Sequence, residues 1–118
     1  MTEHRVARVD ELRPGERKVV SLGRLQIGLF RIGDEYYALP NICPHQFGPL
    51  CQGKLGGAVV ATADTGWRPE WFYDGEVVTC PWHGLEFRVP TGRCLALPKV
   101  RLRRYPVKIE GDDVKLVL

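Results

Sequence analysis

Two short stretches, Cys43-Pro44-His45 and Cys80-Pro81-Trp82-His83, constrain the fold more than any other feature of the chain. Each offers one thiolate and one imidazole, separated by one residue in the first stretch and by two in the second. Two such loops brought together supply two sulfur and two nitrogen ligands. This set suits a single zinc ion or an iron–sulfur cluster with mixed ligation. The fold is therefore expected to present both loops at one place.

The order of the ligands helps to distinguish the two metals. A Cys₂His₂ zinc finger usually presents its cysteines as one pair and its histidines as another, whereas the order here is Cys, His, Cys, His. On a single metal atom, the tight Cys-x-His spacing would force sulfur and nitrogen from adjacent turns onto that atom. A two-iron cluster relaxes this constraint, because one iron takes both sulfurs and the other takes both nitrogens. The pattern favours the cluster and leaves a zinc-stabilised binding module as an alternative.

The residues around these ligands resemble the two cluster-binding boxes of the Rieske family. The resemblance rests on residues 43–50, CPHQFGPL, on residues 80–87, CPWHGLEF, and on the turn at Thr91-Gly92-Arg93. It implies an all-β fold, an antiparallel β sandwich or barrel with a two-loop cap formed by residues of about 43–53 and 80–88. It also implies one [2Fe–2S] cluster, with Cys43 and Cys80 on the inner iron and His45 and His83 on the outer iron.

The same resemblance predicts a low reduction potential. High-potential Rieske centres have a Ser two residues after the second-box His and a Tyr two residues further on, and both hydroxyls bond to sulfur. Leu85 and Phe87 occupy these positions and donate nothing. The disulfide that links the boxes in high-potential members would need a cysteine at Trp82. We therefore expect a midpoint potential of roughly −150 to 0 mV.

Length and composition indicate one globular domain over residues 1–118. The chain contains 13 Gly and 9 Pro, which favours short strands and many turns over helices. No apolar stretch is long enough for a transmembrane helix, and the charged start lacks the apolar run of a signal peptide. We expect a soluble, cytoplasmic protein without a membrane anchor. Cys51 and Cys94 are then expected to be free thiols, although a disulfide between them stays open.

The net charge of +3 is too mild and dispersed to indicate nucleic-acid binding. One basic cluster stands out, in which alternation along a strand would place Lys99, Arg101 and Arg103 on one face, with Arg104 on the other. This face is interpreted as solvated, with a docking patch for an acidic partner as the alternative.

Turn signals divide the chain into candidate strands. The stretch 63–75 is interpreted as a long loop whose aromatic residues cover one edge of the core: Trp67, Trp71, Phe72 and Tyr73. The strands are predicted at residues 5–9, 18–22, 25–32, 36–39, 55–62, 76–79, 85–89, 94–97, 101–110 and 113–118.

The histidine count limits the chemistry. Ring-hydroxylating oxygenases add a mononuclear iron held by two His and a carboxylate, but only His4 remains once His45 and His83 are used. There is also no Gly-rich nucleotide motif for a flavin or nicotinamide. We expect an electron carrier without substrate chemistry of its own, similar to the ferredoxin component that passes electrons from a flavin reductase to a terminal oxygenase. A small or regulatory subunit of a larger reductase, such as the nitrite reductase small subunit, is the alternative.

Overall fold

The computed structural model describes residues 2–42, 48–82, 84–97 and 99–118. Within these residues, ten strands form three antiparallel sheets, with orders β1-β10-β9, β2-β3-β4 and β5-β6-β7-β8. The predicted antiparallel all-β fold is confirmed. The strands are β1 Glu3–Arg8, β2 Arg17–Leu22, β3 Leu25–Ile32, β4 Glu35–Pro40, β5 Lys54–Val60, β6 Glu70–Thr79, β7 Glu86–Arg88, β8 Arg93–Cys94, β9 Val107–Glu110 and β10 Asp113–Val117, with 3₁₀ turns at Leu50–Gln52 and Ala63–Thr65.

The sheet β2-β3-β4 separates two hydrophobic cores, and the sequence of β3 explains why. Its central run, residues 27–30, is apolar throughout and buried, as expected for a strand covered on both faces. Because successive side chains alternate between faces, Ile27 and Leu29 enter one core while Phe30 enters the other. In β4, Ala38 and Leu39 divide between the cores in the same way.

The first core lies beneath the predicted cap. It is formed by Phe30, Leu39, Leu50, Cys51, Val78, Cys80, Phe87, Val89, Cys94 and Leu102. The second core is covered by the sheet β1-β10-β9, which contains the first and last strands. It is formed by Val6, Ala7, Leu12, Ile27, Leu29, Ala38, Val114 and Leu116. Residues from both predicted boxes therefore contribute to one core, the first.

The predicted loop at residues 63–75 is wrong over its second half. Strand β6 begins at Glu70 and pairs with β5, so that Trp71 and Phe72 lie in a strand. The role predicted for the aromatic residues is also wrong for Trp67 and Trp71, which are 72% and 57% exposed. The physical reason is cross-strand pairing: Val59 and Ala58 pair with Trp71 and Phe72, and this hairpin extends beyond the core.

The region after the second box contains less strand than predicted. Strand β8 ends at Cys94, and residues 95–97 form a bend. The strand predicted at residues 101–110 is confined to Val107–Glu110, preceded by single bridges at Arg101 and Tyr105. The predicted exposure is right for Lys99, Arg101 and Arg103, but Arg104 is exposed as well because no strand imposes alternation there.

Within the residues that the structure describes, we find no helix with the length and apolar character needed to span a membrane.

Candidate metal centre

Strand pairing brings the two predicted loops to the same end of one sheet. The first loop leads into β5 at Lys54, and the second follows β6 after Thr79. These two residues are partners in the antiparallel β5–β6 ladder, and Thr79 also pairs with Glu86 at the start of β7. The second loop is thus the connection of the β6–β7 hairpin, and the first loop ends beside it. The antiparallel register therefore places the described end of the first loop beside the start of the second loop.

A close approach at Gly48 joins the two loops directly. A Cβ at this position would lie 2.8 Å from the ring of Trp82 and 3.2 Å from the Sγ of Cys80. The backbone of the first loop therefore lies against the second loop, at a distance that only glycine permits. Trp82 nevertheless remains 57% exposed, so that it packs on the first loop and also presents an apolar surface to solvent.

The second loop is closed by its own backbone. The amide N–H of Cys80 donates to the carbonyl of Leu85 at 2.8 Å, and the amide of Gly84 donates to the carbonyl of Cys80 at 2.9 Å. Gly84 adopts a φ of 73°, a left-handed conformation that glycine enters without steric penalty. These bonds hold Cys80 at the base of the turn with its residue only 2% exposed.

The first loop is anchored at its base by Asn41. The buried side-chain oxygen of Asn41 accepts a hydrogen bond from the backbone N–H of Cys51 at 2.8 Å, and the backbone N–H of Asn41 donates to the backbone carbonyl of Gln26 at 2.9 Å. One residue thus connects the segments before and after the loop. No motif in the sequence singled out Asn41 for this role. The sequence feature that could have indicated this role is a polar residue between the apolar strand and the first cysteine.

Cys51 is a core residue beneath the first loop. Its Sγ donates to the carbonyl of Pro40 at 3.5 Å, and its side chain occupies the space that a Cβ at Gly28 would fill. Burial raises the pKa of the Cys51 thiol to about 12. Cys51 and Cys94 are both buried and form no disulfide among the described residues, in line with the expectation of free thiols. A thiol that stays protonated is a poor metal ligand, so Cys51 serves packing.

Leu85 and Phe87, which stand where high-potential centres carry hydroxyls, both contact the first core. Phe87 is fully buried in it and Leu85 packs against its edge. Neither side chain has a polar hydrogen to donate toward sulfur.

Of the four predicted ligands, the structure describes Cys80, while Cys43, His45 and His83 lie outside the described residues. What is described fits an iron–sulfur cluster. Cys80 brings a buried sulfur, and Gly48 brings the end of the first loop against that sulfur. Thiolate and imidazole are the donors that a Rieske cluster requires.

Comparison with known proteins decides the family. The model of the Rieske [2Fe-2S] domain matches residues 2–106. The chain belongs to the Rieske family. Its cofactor is accordingly one Rieske-type [2Fe–2S] cluster, which replaces the zinc alternative. The biphenyl dioxygenase ferredoxin subunit of Pseudomonas sp. strain KKS102 is 31% identical over 115 residues, covering 97% of this chain and 90% of that subunit.

Solved structures of other proteins have the same fold as this chain. A chain in the complex of reduced oxygenase and oxidized ferredoxin in carbazole 1,9a-dioxygenase matches this Rieske protein with a TM-score of 0.74 and 26% identity, covering 97% of this chain and 100% of that chain. A nitrite reductase small subunit from Mycobacterium tuberculosis matches with a TM-score of 0.72 and 24% identity, covering 98% of this chain and 93% of that chain. This second likeness shows the fold alone.

Proposed function

We propose that this Rieske protein is a one-electron carrier that passes electrons from a flavin reductase to a terminal oxygenase or a similar redox enzyme, in the cytoplasm. The proposal treats residues 1–118 as one domain, with cluster-binding loops at about 43–53 and 80–88. It also takes the chain to have no substrate chemistry of its own. The observation that supports the proposal is the close approach of Gly48 to Cys80 and Trp82, because it brings the described end of the first loop beside the buried sulfur of the second loop.

In this proposal each loop contributes one cysteine and one histidine ligand to the cluster. Cys43 and Cys80 are the thiolate ligands, and His45 and His83 bind through one ring nitrogen each. When bound, the cluster supplies one reversible electron. Neutral imidazoles in place of two thiolates reduce the negative charge on the site and raise its potential relative to an all-cysteine site. The exposed ring of Trp82 beside the loop offers an apolar surface for contact with a partner.

The two candidate functions, an electron carrier and a reductase subunit, predict different assemblies. A carrier shuttles between partners, whereas a reductase subunit stays in one stable complex. The carrier is favoured because the ferredoxin subunit is 31% identical over nearly its whole length, while the likeness to the nitrite reductase small subunit is limited to the fold.

The ligand assignment is tested by cysteine exchange during anaerobic purification. Cys80→Ser is expected to abolish the visible absorbance of the cluster, the bound iron and sulfide, and the rhombic paramagnetic signal after dithionite. Cys94→Ser is the matched control, because Cys94 is equally buried but is not a predicted ligand. It is expected to retain all three properties. Equal cluster loss in both variants would contradict the assignment.

The carrier role is tested by electron transfer. The holoprotein, mixed with a flavin reductase and a terminal oxygenase, is expected to be reduced by the first and reoxidised by the second. It should leave a size-exclusion column separately from both. A stable stoichiometric complex would favour the reductase subunit instead.

A further inference from the structure

The charge of the chain is distributed unevenly. Residues 87–109 contain seven of the 17 Lys and Arg and none of the 14 Asp and Glu, so the remainder of the chain is net negative. Two of the seven have carboxylate partners, since Arg88 pairs with Glu76 at 2.9 Å and Lys108 pairs with Glu3 at 3.2 Å. Across the described residues, the other five are exposed and form no ion pair. They define the basic face: Arg93, Lys99, Arg101, Arg103 and Arg104.

Like charges face each other on this surface. Arg93 forms an antiparallel bridge with Arg101, so that two arginines of the basic face lie directly opposite each other. Directly opposed residues project from the same side of a sheet, and like charges in that position destabilise the pair. The repulsion between these arginines decreases when carboxylates approach from outside the molecule.

A groove of about 340 Å³ runs through the basic face. It is lined by Pro90, Thr91, Arg101, Leu102, Arg103 and Arg104. Two of its arginines are already held in place. The guanidinium of Arg104 donates to the carbonyl of Pro90 at 2.6 Å, and that of Arg103 lies over the ring of Tyr105 at 5.2 Å. Side chains held in this way lose less rotational freedom when a partner binds.

The basic face reaches the candidate metal centre along β7. Glu86 begins this strand within the second box, and its carbonyl accepts a hydrogen bond from the amide of Leu95 at 2.9 Å. The loop that carries Lys99 therefore begins beside the second box. The groove lies at the opposite end of β7, which spans three residues or about 10 Å. A protein bound to the basic face would thus also lie close to the metal centre.

We propose that the basic face is a docking surface for an acidic surface of a redox partner protein, an inference that rests on the proposed carrier function. Charge complementarity identifies this occupant, because the five cations, which have no ion-pair partner among the described residues, attract carboxylates and increase the rate of association. The cations are distributed along residues 93–104 and line an open groove. This distribution matches an extended protein surface better than one small anion.

The test uses flavodoxin, an acidic one-electron flavoprotein, with the holoprotein and two double variants. R101Q/R103Q removes two charges from the basic face, while R13Q/R68Q removes two exposed arginines elsewhere that also have no carboxylate partner among the described residues. In stopped flow, one electron passes from flavodoxin hydroquinone to the oxidised cluster and leaves the semiquinone. At low ionic strength, R101Q/R103Q is expected to be reduced about three- to tenfold more slowly than wild type, and R13Q/R68Q at nearly the wild-type rate.

Binding provides a second readout that does not depend on electron transfer. The Kd for oxidised flavodoxin, measured by thermophoresis, is expected to rise by a similar factor in R101Q/R103Q only, and R101K/R103K is expected to restore it. Equal rates and Kd values in wild type and both glutamine variants would overturn the docking surface. If wild type binds flavodoxin but accepts no electron, the carrier function fails and the docking surface stands.

Inorganic phosphate and cytochrome c serve as a small-anion competitor and a basic redox partner. If phosphate inhibits binding far more than chloride at equal ionic strength, the groove is a small-anion site and the proposal is wrong. Cytochrome c, a basic protein, is expected to oxidise the reduced R101Q/R103Q variant at least as fast as wild type. A slower reaction would show general damage to the variant, which would remove the electrostatic interpretation of the flavodoxin result.

Discussion

At the scale of single residues, the decisive feature is a glycine at position 48, which has no side chain. Gly48 allows the end of the first loop to lie against Trp82 and Cys80. Packed interiors leave no space for an added methyl group at such a distance, and the neighbours have to shift. Gly56 in β5 provides a contrast, because no atom lies within 4 Å of a Cβ placed there.

Gly48→Ala is therefore expected to separate the two loops and to reduce cluster retention. The added Cβ would lie 2.8 Å from the Trp82 ring, and the resulting displacement acts directly on the sulfur of Cys80. Iron and sulfide content after anaerobic purification measures the effect. Gly56→Ala serves as the control and should retain full occupancy. Normal cluster content in both variants would show that the close approach is unimportant.

The reduction potential is a second consequence at this scale. Because neither Leu85 nor Phe87 donates a hydrogen bond to sulfur, the reduced site has less stabilisation than in high-potential centres. We expect a midpoint of roughly −150 to 0 mV in a redox titration followed by visible absorbance. A midpoint above about +200 mV would contradict this reasoning.

At the scale of elements, the ends of the neighbouring strands hold the two loops in position. The β5–β6 ladder joins Lys54 to Thr79, and Gly53 lies so close to the carbonyl of Thr79 that a Cβ could not be accommodated. Asn41 joins the end of β4 to Cys51 after the loop. Strand pairing and one buried amide thus hold the described ends of the first loop and the start of the second loop.

Asn41→Ala is expected to reduce the free energy of unfolding by about 1–3 kcal/mol, because the buried amide of Cys51 loses its acceptor. Urea unfolding of the variant against wild type measures this change. Gln26→Ala is the matched control, since it removes only the 3.3 Å contact of an exposed side chain with Asn41 and should cost far less. Similar losses in the two variants would show that the bond to Cys51 has no special importance.

At the scale of the whole molecule, the two cores share the middle sheet, and Cys51 lies in the core next to the cap. Its thiol has a pKa of about 12 in the fold against 9.0 for an ordinary thiol. The unfolded chain therefore loses this proton from about pH 9 upward while the folded chain retains it. Folding stability is unaffected below pH 9 and falls as the pH rises toward 12, by about 1.4 kcal/mol per pH unit from this group.

Comparison of wild type with Cys51→Ser isolates this contribution, because serine does not ionise in that range. Between pH 8 and pH 10.5, wild type is expected to lose about 2 kcal/mol more unfolding free energy than the variant. Urea unfolding at the two pH values measures the difference, and other titrating groups cancel in it. Parallel losses in the two proteins would mean that Cys51 ionises normally in the fold.

The sequence by itself determined the family, the cofactor and most strand positions. Ligand spacing and short apolar runs between Gly and Pro are local properties, so the strand at Leu25–Ile32 was predicted correctly. Only the tertiary structure decided which distant residues meet: Gly48 against Trp82, Asn41 with Cys51, and Arg93 opposite Arg101. It also decided that Trp67 and Trp71 are exposed on a hairpin, because an aromatic sequence does not reveal whether its neighbours across the sheet extend past the core. Such contacts depend on strand register and on close approach between distant segments, which no local pattern specifies.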